Sequence, residues 1–315
     1  MVDEPKIEPH PGAEPPRRCG VIAIIGAPNA GKSTLVNALV GAKVTIISRK
    51  VQTTRIQIRG IAMEGASQLV LIDTPGIFAP KRRLDKAMVA SAWAGAADAD
   101  QVLVLVDAAK TLDEDVEQLF VRLADLPGKK PILVMNKVDR VEDKGRLLGL
   151  VQDLSARIPV AEVFMIAALT GDGVAALKRY LAKNVPEGPW LYPEDELSDI
   201  PLRQLAAEVT REKIYDLLHD ELPYQTTVET ESWKTLRDKS VRVEQVIYVE
   251  RDSQKSIVLG KGGQTIKKIS QASRTELTEV VGAPVHLFLF VKVREGWDRD
   301  PERYREMGLE FPTED

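Results

Sequence analysis

The 315-residue sequence is 44% hydrophobic, enough for more than one core, so two domains are expected. Its 43 Lys and Arg against 47 Asp and Glu exclude a bulk basic signal, and any polyanion site must therefore be local. One cysteine, Cys19, excludes an internal disulfide, and with three histidines it builds no zinc cluster, so a reducing compartment is the default and Cys19 reads as structural.

Residues 1–18 hold five prolines and no apolar run, which predicts a disordered tail rather than a signal peptide. From 19 to 183, short apolar runs alternate with amphipathic stretches, the rhythm of a mostly parallel, doubly wound α/β sheet. Strands are predicted at Val21–Gly26, Ile56–Ile61, Gln68–Ile72, Val102–Asp107, Pro131–Met135 and Val163–Ile166. The second and third are separated by Met63-Glu64-Gly65-Ala66, which predicts a hairpin and one antiparallel strand. No stretch approaches the roughly 18 apolar residues of a membrane span. A soluble, cytoplasmic protein is expected.

The run Gly26-Ala27-Pro28-Asn29-Ala30-Gly31-Lys32-Ser33, continuing into Thr34, follows the first strand and opens a helix. That is the context of a phosphate-binding loop: its N–H groups and the helix N-terminus meet an anion, Lys32 reaches the β and γ oxygens, and the Ser33 hydroxyl is placed for Mg²⁺. Asp73-Thr74-Pro75-Gly76 ends the third strand, where the Asp73 carboxylate can hold Mg²⁺ through water and the Gly76 N–H can sense a γ-phosphate. Ile77 follows, in the place where small signalling GTPases carry a water-orienting glutamine, so slow intrinsic turnover is expected.

Asn136-Lys137-Val138-Asp139 follows the fifth strand, at a carboxyl edge where open α/β sheets bind ligands. An Asp139 carboxylate can accept from guanine N1–H and its 2-amine, whereas adenine would leave it unpaired, so GTP and GDP are the expected nucleotides. The Lys137 stem can cover the base, and the Asn136 amide can reach either the phosphate loop or N7. Preference for ATP would instead indicate a kinase.

Residues 184–201 carry four prolines and read as a linker. Residues 202–315 follow an α+β rhythm: a helix Leu202–Leu218, strands Thr226–Trp233 and Val241–Glu250, a Gly-rich turn, a helix Gln264–Val281 and a strand Val285–Val293. Between Arg251 and Arg274 six basic residues face one acidic one, and they surround Gly260-Lys261-Gly262-Gly263. This resembles the GXXG loop of a type II KH domain, with Lys255, Gly260, Lys261, Gly262, Gly263, Lys267 and Lys268 as candidate contacts to single-stranded RNA. The Tyr248, Phe288 and Phe290 rings could stack bases, but they are expected mainly in the core, because strand alternation buries one face.

These motifs, with Gln52-Thr53-Thr54-Arg55 between the phosphate loop and Asp73, look like the translation-factor class of GTPases. Over about residues 19–312, and through Arg211-Glu212-Lys213 and Glu221-Leu222-Pro223-Tyr224, the chain is similar to the Era family of bacterial GTPases. The resemblance implies a catalytic set of Lys32, Thr54 and Gly76, with Thr53 the fallback for Thr54, and Mg²⁺ on Ser33, Thr54 and Asp73. It implies K⁺ on Asn29, a second base loop at Ala167-Ala168-Leu169 in which the Ala168 N–H meets guanine O6, and alanine at 167 where the family carries serine. It also implies binding to small-subunit ribosomal RNA near its 3′ end and a role in assembling that subunit. The alternative is a signalling or membrane-peripheral GTPase whose second domain grips protein or lipid headgroups at the cytoplasmic membrane.

Overall fold

The computed structural model describes residues 15–48, 50, 53–80, 82–125, 128–297 and 300–312. Most of the expected tail, Gln52 and residues 313–315 lie outside them.

The first unit runs β1 (Arg18–Gly26), α1 (Lys32–Val40), β2 (Ile58–Glu64), β3 (Ser67–Asp73), α2 (Arg83–Asp98), β4 (Gln101–Asp107), α3 (Glu114–Ala124), β5 (Ile132–Asn136), α4 (Lys144–Arg157), β6 (Glu162–Met165) and α5 (Val174–Asn184). The sheet order is β2-β3-β1-β4-β5-β6, and β2 alone is antiparallel, from Ile58 opposite Asp73 to Glu64 opposite Ser67. Successive strand residues point to opposite faces. Ile25, Val104 and Leu133 therefore pack on α2, α3 and α4, while Ile24, Leu105 and Val134 pack on α1 and α5. Helices on both faces explain why these strands are continuous apolar runs. The phosphate loop, Asp73 and Asn136 all lie at carboxyl ends of β1, β3 and β5.

The second unit runs α6 (Leu202–Leu217), β7 (Thr227–Thr235), β8 (Val241–Val249), α7 (Asp252–Leu259), α8 (Gln264–Val281), β9 (Val285–Val293) and α9 (Pro301–Glu306). Its sheet is β7-β8-β9, with β7 antiparallel and β9 parallel to β8. Two helices depart from the sequence reading. The eight-residue α7 buries only Gln254 and Val258, too few positions to show a helical period. The short α9 starts at Asp300-Pro301, an N-cap followed by proline, and the segment it opens sets Tyr304 and Leu309 against Leu84, Ala87 and Met88 of α2.

Two boundaries differ from expectation. β1 begins at Arg18, which donates to the Val185 carbonyl (2.9 Å) and pairs with Glu187. The segment 184–201 is attached, not free: Ile61 N–H donates to Leu197 O (2.9 Å), Asp199 N–H to Arg59 O (3.2 Å), and the Gln68 amide meets Leu191 and Tyr192. This proline-broken strip covers the β2 edge, which would otherwise expose unpaired backbone. Among the described residues no helix is long and apolar enough to cross a membrane.

The two units meet through buried cations on backbone oxygens. Arg55, 3% exposed, donates to the carbonyls of Thr226 (2.8 Å) and Tyr224 (2.9 Å) and to the Tyr215 hydroxyl (3.2 Å). Arg55→Ala strands these acceptors and should lower stability by about 3 kcal/mol or more in urea denaturation, with a larger radius of gyration in solution scattering.

Candidate functional site

The phosphate loop is a tight turn that only small residues permit. Gly31 has φ +102°, and a Cβ there would stand 2.3 Å from Asn136 Nδ2; a Cβ on Gly26 would stand 2.5 Å from the Leu105 carbonyl. Asn29 also takes a left-handed φ of +63°. The Lys32 ammonium folds into the loop, donating to the carbonyls of Gly26 (3.1 Å) and Ala27 (3.0 Å). Burial pulls its pKa down to about 8, against the attraction of Asp73.

Asp73 is fully buried, and one of its oxygens carries every donor. Oδ2 accepts from Thr45 Oγ1 (2.7 Å), Ser33 Oγ (2.8 Å) and Thr54 Oγ1 (3.3 Å). Oδ1 is buried without a hydrogen-bond partner among the described residues. Burial pushes the carboxyl pKa up, and the hydrogen bond from Thr45 is the largest effect opposing it, followed by that from Ser33. An orphaned carboxylate oxygen beside two hydroxyls 3.1 Å apart is a hard oxygen donor set, which suits a magnesium ion. Of the paired threonines, Thr54 faces this set, whereas Thr53 Oγ1 turns away to the Lys50 carbonyl (2.8 Å). Thr45 was not foreseen: it lies in a stretch without a motif, and no local signal marks it.

The Asn136 side chain joins two loops, donating to Ala30 O (2.8 Å) and accepting from Ala168 N–H (3.0 Å). It thus takes the phosphate-loop option, and the Ala168 N–H expected on guanine O6 is engaged by Asn136. Lys137, at φ +62°, spans from Asn29 O (2.6 Å) to Asp107 Oδ2 (2.7 Å), and Asp139 stands exposed at the rim. A cavity of about 910 Å³ brings together Pro28, Asn29, Gly31, Lys32, Ser33, Thr34, Thr54, Gly76, Asn136, Lys137, Asp139, Ala168 and Leu169. That volume matches a nucleotide-sized ligand. Gly26, Ala27, Ala30, Asp73, Thr74, Pro75 and Ala167 do not line it. Thr74 Oγ1 donates to Ile24 O (2.7 Å) and the Ala167 N–H to Asp172 O (3.0 Å), so these two support the loops from behind. The lining also includes Lys50 and, from the second unit, Tyr215, Asp216 and His219, which no sequence signal indicated.

In the second unit the GXXG turn needs its glycines, with φ +73° at Gly260, +61° at Gly262 and +76° at Gly263. A Cβ on Gly260 would lie 2.2 Å from Thr265 Oγ1. Lys261 and Lys267 are exposed and Lys255 half-buried. Lys268, also exposed, lines a cavity of about 1210 Å³ between α8, α6 and the 195–200 strip. Phe288 and Phe290, expected in the core, are 43% and 49% exposed, with the Arg242 guanidinium 4.6 Å from the Phe288 ring. Their positions alternate with Leu287, Leu289 and Val291, which face the helices instead.

A phosphate loop, a buried carboxylate and an Asn-Lys-x-Asp loop along one sheet edge define a P-loop guanine-nucleotide protein, here joined to a KH-type module. The family described as 50S ribosome-binding GTPase matches residues 21–137, and the KH domain family matches residues 221–298. GTPase Era of Afipia carboxidovorans is 66% identical over 95% of this chain and 96% of its own, and that of Bradyrhizobium diazoefficiens 64% over 94% and 96%. The crystal structure of a single-substitution variant of Aquifex aeolicus Era bound to GDP·AlF4⁻ superposes with a TM-score of 0.86, at 37% identity, over 92% of this chain and 99% of that one. Era in complex with MgGDPNP and nucleotides 1506–1542 of 16S ribosomal RNA gives 0.87, at 36% identity, over 93% and 99%. The chain belongs to the Era family of GTPases.

Asp139→Asn should weaken GDP binding about a hundredfold or more and improve xanthosine diphosphate binding, as read by calorimetry.

Proposed function

We propose that this GTPase binds the 3′ region of small-subunit ribosomal RNA through its KH module and couples that binding, during subunit assembly, to the nucleotide it holds. The observation that carries the reading is the grip of α6 on the segment between the phosphate loop and β2. Glu212 Oε1 accepts the Ile47 N–H (2.7 Å), Arg211 donates to Thr53 O (2.5 Å), and Lys50 donates to Leu218 O. The RNA-binding module therefore touches the chain that delivers Thr54 to Asp73. The Era structure holding both a GTP analogue and 16S RNA, matched along 93% of this chain, supports the small subunit as the target. The 50S description rests on the GTPase part alone.

For hydrolysis, Ser33, Thr54 and Asp73 would hold Mg²⁺. When bound, Mg²⁺ offsets charge on the β- and γ-phosphates. Lys32 would exchange its two loop carbonyls for phosphate oxygens, and the Gly76 N–H would meet the γ-phosphate, both stabilising charge that develops as water attacks in line. Ile77 is buried and apolar, so no side chain there orients the water. Asn29, held left-handed at the loop tip, is the proposed K⁺ ligand.

Three outcomes test this reading. Thr54→Ala should slow GTP turnover by about tenfold or more while GDP affinity stays near native, measured by phosphate release. Turnover should be faster in KCl than in NaCl for the native chain and equal in both for Asn29→Ala. Lys261→Asp with Gly262→Asp should abolish binding of a 3′-end 16S oligonucleotide in fluorescence anisotropy. Retained RNA binding, or loss of binding to anionic vesicles alone, would overturn the RNA role.

A further inference from the structure

Thr45 belongs to no motif of the nucleotide site, yet it makes the shortest hydrogen bond to the buried carboxylate at its centre, 2.7 Å to Asp73 Oδ2. Its hydroxyl is aimed by its backbone. Asn37 of α1 donates to Thr45 O (2.8 Å) and accepts from the N–H groups of Val44 (2.9 Å) and Thr45 (3.1 Å). The residues on either side are held by one acidic side chain of the second unit. Lys43 Nζ meets Glu212 Oε1 (2.9 Å) and Oε2 (2.7 Å), and the Ile47 N–H meets Oε1 (2.7 Å). Glu212 is 3% exposed, and Lys213 and Glu276 complete its charge cluster. The segment Lys43–Ile47 is thus suspended between Asn37 on one side and Glu212 on the other, with the Thr45 hydroxyl as its inward contact.

A carboxylate turns easily about its last bond unless donors hold it. Here three donors gather on Oδ2 and leave Oδ1 buried and unpartnered. Ser33 and Thr54 are themselves candidate cation ligands, and a hydroxyl that ligates through a lone pair still donates its proton, so these two hold Asp73 from within the ligand set. Thr45 is the one donor of the three that stands outside that set. We propose that Thr45 is the positioning residue that turns Asp73 Oδ1 toward the magnesium site, and that Glu212 of the KH module sets where Thr45 stands. The inference rests on the nucleotide site proposed above and adds the route by which the second unit reaches it. Outer hydrogen-bond partners of this kind orient ligands and govern metal affinity.

The test is the Mg²⁺ concentration at which a fluorescent GDP analogue binds half-maximally tightly to the full chain, with metal-free GDP affinity measured in EDTA alongside. Thr45→Val keeps shape and removes the donor, so its Mg²⁺ midpoint should rise about tenfold or more while metal-free GDP affinity holds, and Thr45→Ser should restore the midpoint. Glu212→Gln should raise the midpoint in the same direction by a smaller factor. A native midpoint in Thr45→Val overturns the proposal, as does an equal loss of affinity with and without Mg²⁺, which marks a structural role. Where Thr45→Val does not fold, an unchanged midpoint in Glu212→Gln overturns it. Absence of metal-free GDP binding in the native chain would instead sink the nucleotide site itself.

Discussion

The structure depends on one buried carboxyl group, Asp73, and on the donors that replace the water it gives up. Taking a charge out of water is unfavourable unless hydrogen bonds replace the lost hydration. Asp73 sits at the end of β3, between β1 and β2, and draws its donors from three separate places: the start of α1, Thr45 and Thr54. The last two lie between α1 and β2, where the described residues form no helix or strand. Those residues are held from outside, by the buried carboxyl of Asp73 and by the second unit.

This division of labour explains the character of the contact between the units. Arg55 and Arg211 are nearly fully buried, and much of what they bind is backbone oxygen. A guanidinium presents several donors in a fixed fork, which suits it to hold several carbonyls at once. Such contacts are directional, and the apolar packing of Tyr304 and Leu309 on Leu84, Ala87 and Met88 adds to them. A site that binds nucleotide tightly in one arrangement of Thr45 and Thr54, and less well in another, shifts the population of docked states by the difference in its affinity for them. Contact of the α9 segment with α2, the helix that follows Gly76, gives the second unit another hold on the first.

The polyanion surface follows a different logic. The second unit carries 18 basic and 21 acidic residues, so its capacity for RNA comes from placement rather than total charge. In the proposed reading, glycines at positive φ would let a nucleic-acid backbone approach the N-terminus of α8, and exposed Lys261 and Lys267 would supply the local charge. Lys268, one residue further along the helix and also exposed, is among the residues lining the cavity between α8 and the first unit.

Much was legible in the chain itself, because the chemistry of phosphate and guanine binding is local. A glycine-rich turn between a strand and a helix, and an Asn-Lys-x-Asp run after a buried strand, each carry their geometry within a few residues, so Lys32, Asn136 and Asp139 were readable as candidates, and the fold brings all three to one cavity. The β-strands of the first sheet announced themselves as apolar runs, and the single hairpin through its glycine turn. The roles of Thr45, Glu212 and Arg55 were not readable, since each acts on atoms between 28 and 171 positions away in the chain. The helices α7 and α9 escaped notice because they are too short to display a period, and the exposure of Phe288 and Phe290 because alternation says that one face is buried without saying which. Local pattern determined what the motifs are; only the folded chain decided which side chains meet a buried carboxyl group, because desolvation depends on everything packed around it.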